Sequence, residues 1–220
     1  MYSFRVNELR HGYVGAIVHA GERVPSAIGK ARASGPLALD REGFAGDTVA
    51  DRRNHGGPDK AVCVYPASRY DAWQARYGHA LRRPAFGENL LVAGVDEQDV
   101  CVGDVIRLGA ALVQVSQPRV PCYKPAAFTG ERRLTLDLLT SGFTGWYLRV
   151  LEPGLVGEGD EGQLLEREPG ALSVLRLNEL RYREPIDAAG LLAAADAPGL
   201  MEAWRVSLRE RALERQRPGG

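Results

Sequence analysis

Cysteine, lysine and long apolar runs are all scarce in this 220-residue chain. Cys63, Cys101 and Cys122 form an odd, sparse set with no CxxC and no Cys/His spacing, which argues against a disulfide framework and against a structural zinc site. No window approaches the roughly 18 to 20 consecutive apolar residues that span a bilayer, and the opening MYSFRVNELRHG has no apolar core behind its basic residues. The cytoplasm is therefore the expected location, with no membrane partner. An excess of either charge is missing too: 28 Lys and Arg balance 28 Asp and Glu, and the two signs interleave. Duplex nucleic acid, whose binding relies on a basic face that releases counterions, is not an expected partner. No repeat period and no glycine-rich strand-to-helix turn of the P-loop or dinucleotide-binding type is present.

What is present is a globular composition, 45% hydrophobic and 25% charged, long enough to bury a substantial core. Residues 1 to about 165 read as short β segments broken by Gly and Pro, the pattern of a barrel or curled sheet. KAVCVYP (60–66) and ENLLVA (88–93) are β-rich, and DVIRLGAALVQVSQ (104–117) reads as a hairpin around Gly109-Ala110. Ser68 is a candidate cap for a helix with Tyr70, Trp73 and Tyr77 on one face, and a second helix is expected over 131–140. Gly154 to Gly170, rich in Gly and Glu, reads as a domain boundary. Beyond it Ser173 caps an expected helix over 174–182, Asp187 another to 195, and Asp196 with Pro198 a third to 215, in which Leu200, Trp204 and Leu208 form a stripe. The chain thus divides into a mostly β domain (1–165) and a small three-helix α module (170–220). The module serves packing or homodimer formation, with gating of a substrate as the other reading.

Three segments carry chemistry. In PRVPCYKP (118–125), Cys122 stands in a proline-stiffened loop with Arg119 and Lys124 on either side, and nearby cations favour the thiolate that nucleophiles and metal ligands require. Cys63 and Cys101, set among apolar neighbours, read as buried and inert. RRNHGGPDKA (52–61) combines backbone amides with His55 and Lys60, which suits an oxyanion and equally describes a solvated turn. Lysine occurs only at Lys30, Lys60 and Lys124, so two of the three fall in these segments. FGENLLV (86–92) places Glu88 and Asn89 at the head of a strand, where they either serve a ligand or finish a turn.

In this order the segments GFAGDTVADRRNHGGPDKAVCVYP, FGENLLV, DVCVGDVIRLGAALVQVSQPRVPCYKPA and SGFTGWYLRVLEPG resemble the MOSC domain, named for the C-terminal part of molybdenum cofactor sulfurase. More narrowly they resemble its YiiM-like branch, in which a three-helix extension follows. The element QPRVPCYK is the specific part of the match, and Cys63 departs from it by replacing a histidine. The resemblance implies a barrel-like fold holding the molybdenum cofactor (molybdopterin) and a detoxifying reduction of N-hydroxylated compounds such as hydroxylamino-purines and amidoximes. Cys122 then ligates molybdenum as the catalytic residue, and Arg119, Lys124, Lys60 and His55 hold the cofactor's phosphate and pterin. Asn89 fixes the pterin edge; Glu88 and His55 have the chemistry of a proton donor, and no spacing in the sequence selects either. Electrons come from a separate donor protein, since no flavin, haem or iron–sulfur motif is present. Two rivals share the same thiol: a molybdenum cofactor or sulfur carrier without turnover, and a metal-free thiol enzyme with Cys122 as nucleophile and Lys60 and Arg119 clamping a phosphorylated substrate.

Overall fold

A computed structural model describes residues 2–183 and 188–216. Strand β1 (Ser3–His11) is followed by a hairpin, β2 (Gly15–His19) and β3 (Glu22–Ser26), and by short strands β4 (Ala31–Arg32), β5 (Leu37–Asp40) and β6 (Gly43–Phe44). Helical turn α1 (Arg52–His55) and the 3-10 turn Pro58–Lys60 lead into β7 (Val62–Pro66), which helix α2 (Ala67–Tyr77) connects to β8 (Leu90–Ala93). The expected hairpin is β9 (Val105–Leu108) and β10 (Ala111–Pro118); helices α3 (Lys124–Thr129) and α4 (Leu134–Ser141) precede β11 (Trp146–Glu152), β12 (Gly154–Val156) and β13 (Glu161–Glu166). The chain ends with α5 (Val174–Tyr182), α6 (Ala188–Ala195) and α7 (Glu202–Gln216).

Seven strands hydrogen-bond in the order β13-β9-β10-β11-β7-β8-β1, and β1 pairs back onto β13, so the sheet closes as a barrel without free edges. All neighbours in it are antiparallel except β7 and β8, whose parallel pairing requires the crossover that α2 supplies. The amphipathic face of α2 explains its position: Tyr70 and Trp73 are buried beneath it, with Tyr65 and Phe86 stacked at 3.8 Å alongside. At the hairpin, Gly109 has φ 52°, a conformation that a β-branched or bulky residue resists.

The helical module shares the barrel's core. Val174, Leu177, Leu180, Trp204 and Leu208 join one apolar cluster with Ile106, Val113 and Val115. Backbone bonds stitch the seam: Val174 N donates to Val100 O (2.9 Å), Val102 N to Leu172 O (3.0 Å) and Met201 N to Ser116 O (3.0 Å). The stripe on α7 is thus covered within the chain, as a packing role requires. Among the described residues no helix is long and apolar enough to cross a membrane.

Several expected boundaries move. Pro66, not Ser68, occupies the N-cap position of α2, because the strand's final proline already sets the turn. The stiff loop expected over 118–125 ends at Tyr123: Pro125 sits in the first turn of α3, where its missing N–H costs nothing. The helix expected from Glu131 starts at Leu134, and the last one starts at Glu202 rather than at Asp196 and Pro198. The Gly- and Glu-rich stretch holds β12 and β13, so chain connection begins only after Glu166. Ser173 does cap α5, accepting from Arg176 N at 3.1 Å. Asp187, the expected cap of α6, lies outside the described residues.

Candidate active site

Strand register brings the three chemical segments to one rim of the barrel. Trp146 of β11 lies opposite both Pro118 of β10 and Val64 of β7, and Val64 lies opposite Leu90 of β8. The segments adjoining these positions surround a cavity of about 440 Å³, and His55, Lys60, Asn89, Arg119, Cys122 and Lys124 all line it. An adjoining chamber of about 560 Å³ shares Cys122, His55, Lys60, Lys124 and Tyr147 with the first.

Cys122 stands in the coil between β10 and α3, half-buried and facing both spaces, while Cys63 and Cys101 are buried. Its carbonyl accepts from Thr135 Oγ1 at 3.2 Å, which ties the coil to α4. Cys63 also borders the cavity, yet burial pushes its thiol up to about 12, against a smaller opposing pull from Arg119, so it stays protonated at neutral pH.

Arg119 is the unusual group. Its backbone N–H donates to Gly145 O at 3.0 Å, continuing the β10–β11 ladder past Pro118. Gly145 is required there: its φ is 69°, and a Cβ would come within 2.3 Å of Val64 O. The side chain is only 4% exposed and its Nη1 has no hydrogen-bond partner. Among the described residues it forms no ion pair. A guanidinium cannot shed its proton, so burying it uncompensated costs several kcal/mol, on the order of the desolvation penalty of a buried ion. Cys122 and Tyr147 offset part of that cost, and an anion that enters the cavity offsets more.

The other polar groups are partly committed. Asn89 donates through Nδ2 to Asp47 Oδ2 (2.8 Å) and Arg10 O (3.2 Å) and accepts from Cys63 N (3.0 Å), which leaves one lone pair for a ligand. Lys60 donates to Asn54 O at 2.7 Å, and burial lowers its pKa. Lys30, placed outside the chemical segments by the sequence reading, also lines the cavity and is paired with Asp47. With that pair neutralised, Lys60, Lys124 and Arg119 face Asp51, and the cavity is net positive. All three lysines of the chain converge on it, a signal that their scarcity carried. Glu88 is a correction: it does not line the cavity but lies fully buried behind it, accepting from Tyr70 Oη (2.6 Å) and Phe86 N (3.0 Å), with burial raising its pKa.

Burial pushes the His55 imidazole down to about 4, helped by Arg119 and Lys124. It is neutral at pH 7. Since the unfolded imidazole titrates near 6.5, the unfolded chain binds the extra proton first, and stability is full above that pH and declines as pH falls toward about 4. The loss is about 1–2 kcal/mol once solvent screening of a partly exposed group is allowed for. Urea denaturation at pH 7 and pH 4.5 checks this, with His55→Asn showing the smaller difference between the two.

The MOSC domain family matches residues 51–163, and the YiiM-like three-helix domain family matches residues 172–212. An uncharacterized protein of Bacillus subtilis, YflK, is 41% identical over 208 residues, 94% of each chain. A protein of Gibberella moniliformis described as a reductase is 36% identical over 165 residues, which are 73% of this chain and 29% of that much longer one. The crystal structure of YiiM from Geobacillus stearothermophilus superposes with a TM-score of 0.80 at 34% identity, covering 95% of this chain and 99% of that one. With its closed barrel, its cavity at Cys122 and its trailing helices, the chain belongs to the MOSC-domain family and carries the YiiM-like three-helix domain.

Proposed function

We propose that the chain is a molybdenum-cofactor-dependent reductase of N-hydroxylated compounds, drawing electrons from a separate donor protein. The observation that carries this reading is a buried, unpartnered Arg119 in the same cavity wall as the half-exposed Cys122 and every lysine of the chain. The residues fit the cofactor's parts. Arg119, Lys60 and Lys124 suit an anionic phosphate tail, and the Cys122 thiolate suits a soft metal already bearing dithiolene sulfurs. Among the described residues no group of three His, Cys, Asp or Glu is arranged to hold a metal ion, so a metal bound at Cys122 brings its further ligands with it. Bound there, the cofactor supplies the metal centre for two-electron reduction of R–NHOH with two protons to R–NH2 and water.

The chain's own contribution is charge and proton handling. Burial, helped by the Arg119 and Lys124 charges, holds His55 neutral; an anion that offsets those charges removes the smaller part of the shift and makes the ring a better proton carrier. The similarity to a reductase supports the reaction class. The reading is tested with molybdenum-loaded protein, reduced viologen and 6-hydroxylaminopurine. Adenine forms over many turnovers if it is right, whereas metal retained without turnover makes the chain a carrier.

A further inference from the structure

The chamber beyond Cys122 differs in character from the cationic cavity. The residues peculiar to it carry no charge: Val24 and Pro25 of β3, Asn54, Gln117, Val120 and Tyr123. Its charged groups, Asp51, Lys60 and Lys124, are those it shares with the first cavity. Tyr123 lines the chamber, is 39% exposed, and has its ring braced by His19 at a centroid distance of 4.2 Å, which offers a flat aromatic surface to a ligand.

Gln117 supplies the second, independent observation. At the end of β10 it is 1% exposed, and its Nε2 donates to Pro118 O at 3.0 Å, which fixes the amide's orientation. Its Oε1 is buried and accepts from nothing. The neighbouring Ser116 hydroxyl, by contrast, is satisfied by Asp59 O (2.5 Å) and Tyr147 O (3.1 Å). An orphaned buried carbonyl costs about 1–3 kcal/mol, and a ligand N–H removes that cost.

We propose that this chamber takes the substrate, that Gln117 Oε1 accepts its N–H, and that the substrates are therefore flat, uncharged N-hydroxylated compounds bearing at least one N–H. The proposal rests on the reductase reading for what happens to the ligand but not for whether the ligand binds. A hydroxylamine R–NH–OH has one such hydrogen and its product R–NH2 has two, so the contact persists through the reaction. N,N-disubstituted hydroxylamines have none and are disfavoured.

The test uses metal-free protein and two uncharged probes, 9-methyladenine and N6,N6,9-trimethyladenine, the second of which has no N–H, titrated by calorimetry. Wild type binds 9-methyladenine about tenfold more tightly, one neutral hydrogen bond's worth. In Gln117→Leu the two probes bind within about twofold of each other. Tyr123→Ala, at an exposed position that cannot unfold the barrel, weakens both by a similar factor and keeps the preference. Equal binding in wild type overturns the proposal. So does a preference that survives in Gln117→Leu, which marks it as steric. In turnover, N-phenylhydroxylamine is reduced in preference to N-methyl-N-phenylhydroxylamine, and Gln117→Leu loses that ratio at unchanged molybdenum content. Absent molybdenum or absent turnover refutes the reductase, while the calorimetric arm still decides the chamber.

Discussion

Cys122→Ser, expressed in a host that makes the cofactor, purifies with its fold intact and with almost no molybdenum, whereas the wild type carries close to one metal per chain. The expectation follows from comparing the three thiols. Cys122 alone is partly open to the cavity, and Cys63, although it borders the same space, is held protonated with its thiol up to about 12. A serine hydroxyl does not ionise near neutrality and is a hard ligand, so it replaces neither the charge nor the softness of the thiolate. The fold tolerates the change because the coil is tied through the Cys122 carbonyl rather than its sulfur. Metal analysis by mass spectrometry, with Cys63→Ser and Cys101→Ser as controls that retain the metal, decides the matter. Full metal content in Cys122→Ser would move the ligand elsewhere.

Arg119→Met gives effects of opposite sign on stability and on binding. Without a bound anion, the wild type keeps a charged guanidinium almost fully buried, with Nη1 unpartnered. A methionine of similar reach packs in its place, and removing the uncompensated charge stabilises the metal-free protein by about 1–3 kcal/mol. For a chain of this size that raises Tm by about 2–12 °C. Cofactor content in the same variant falls at least about tenfold, the consequence of losing a charge-assisted contact in a dry site. Calorimetric melting of metal-free protein and metal analysis of the loaded protein give the two readings. A lower Tm in the variant would mean that Arg119 is satisfied by the protein itself.

Much of the barrel is legible in local sequence because β7 and β8 are short continuous apolar runs and alternation survives in the β9–β10 hairpin. Its closing strand is not. In β13 the inward positions include Gly162, which has no side chain to alternate; the Phe4 ring of β1 fills the space instead, and a Cβ at Gly162 would lie 2.1 Å from it. Only the pairing of two strands far apart in sequence makes that glycine an interior position. Proline misled in a similar way at α3, since Pro125 breaks a helix everywhere except in the first turn it occupies.

At the site, the segment around Cys122 is informative because charge, proline and sulfur lie within a few residues. Glu88 and Asn89 are adjacent in sequence, yet one lies buried behind the cavity and the other lines it. Lys30 belongs to the site only through the folding of distant segments, whereas Gln117 lies within the QPRVPCYK element itself. The orphaned atoms of Arg119 and Gln117 have no counterpart in sequence at all, because a missing partner exists only in three dimensions.

The convergence of Lys30, Lys60 and Lys124 has a practical corollary for anyone handling this protein. Amine-directed reagents normally spend themselves on scattered surface lysines and leave an enzyme working. Here there are no remote side-chain amines to absorb them, so succinimidyl dyes, biotinylation or coupling to activated resin act as affinity labels for the cavity, and tethering is better directed elsewhere.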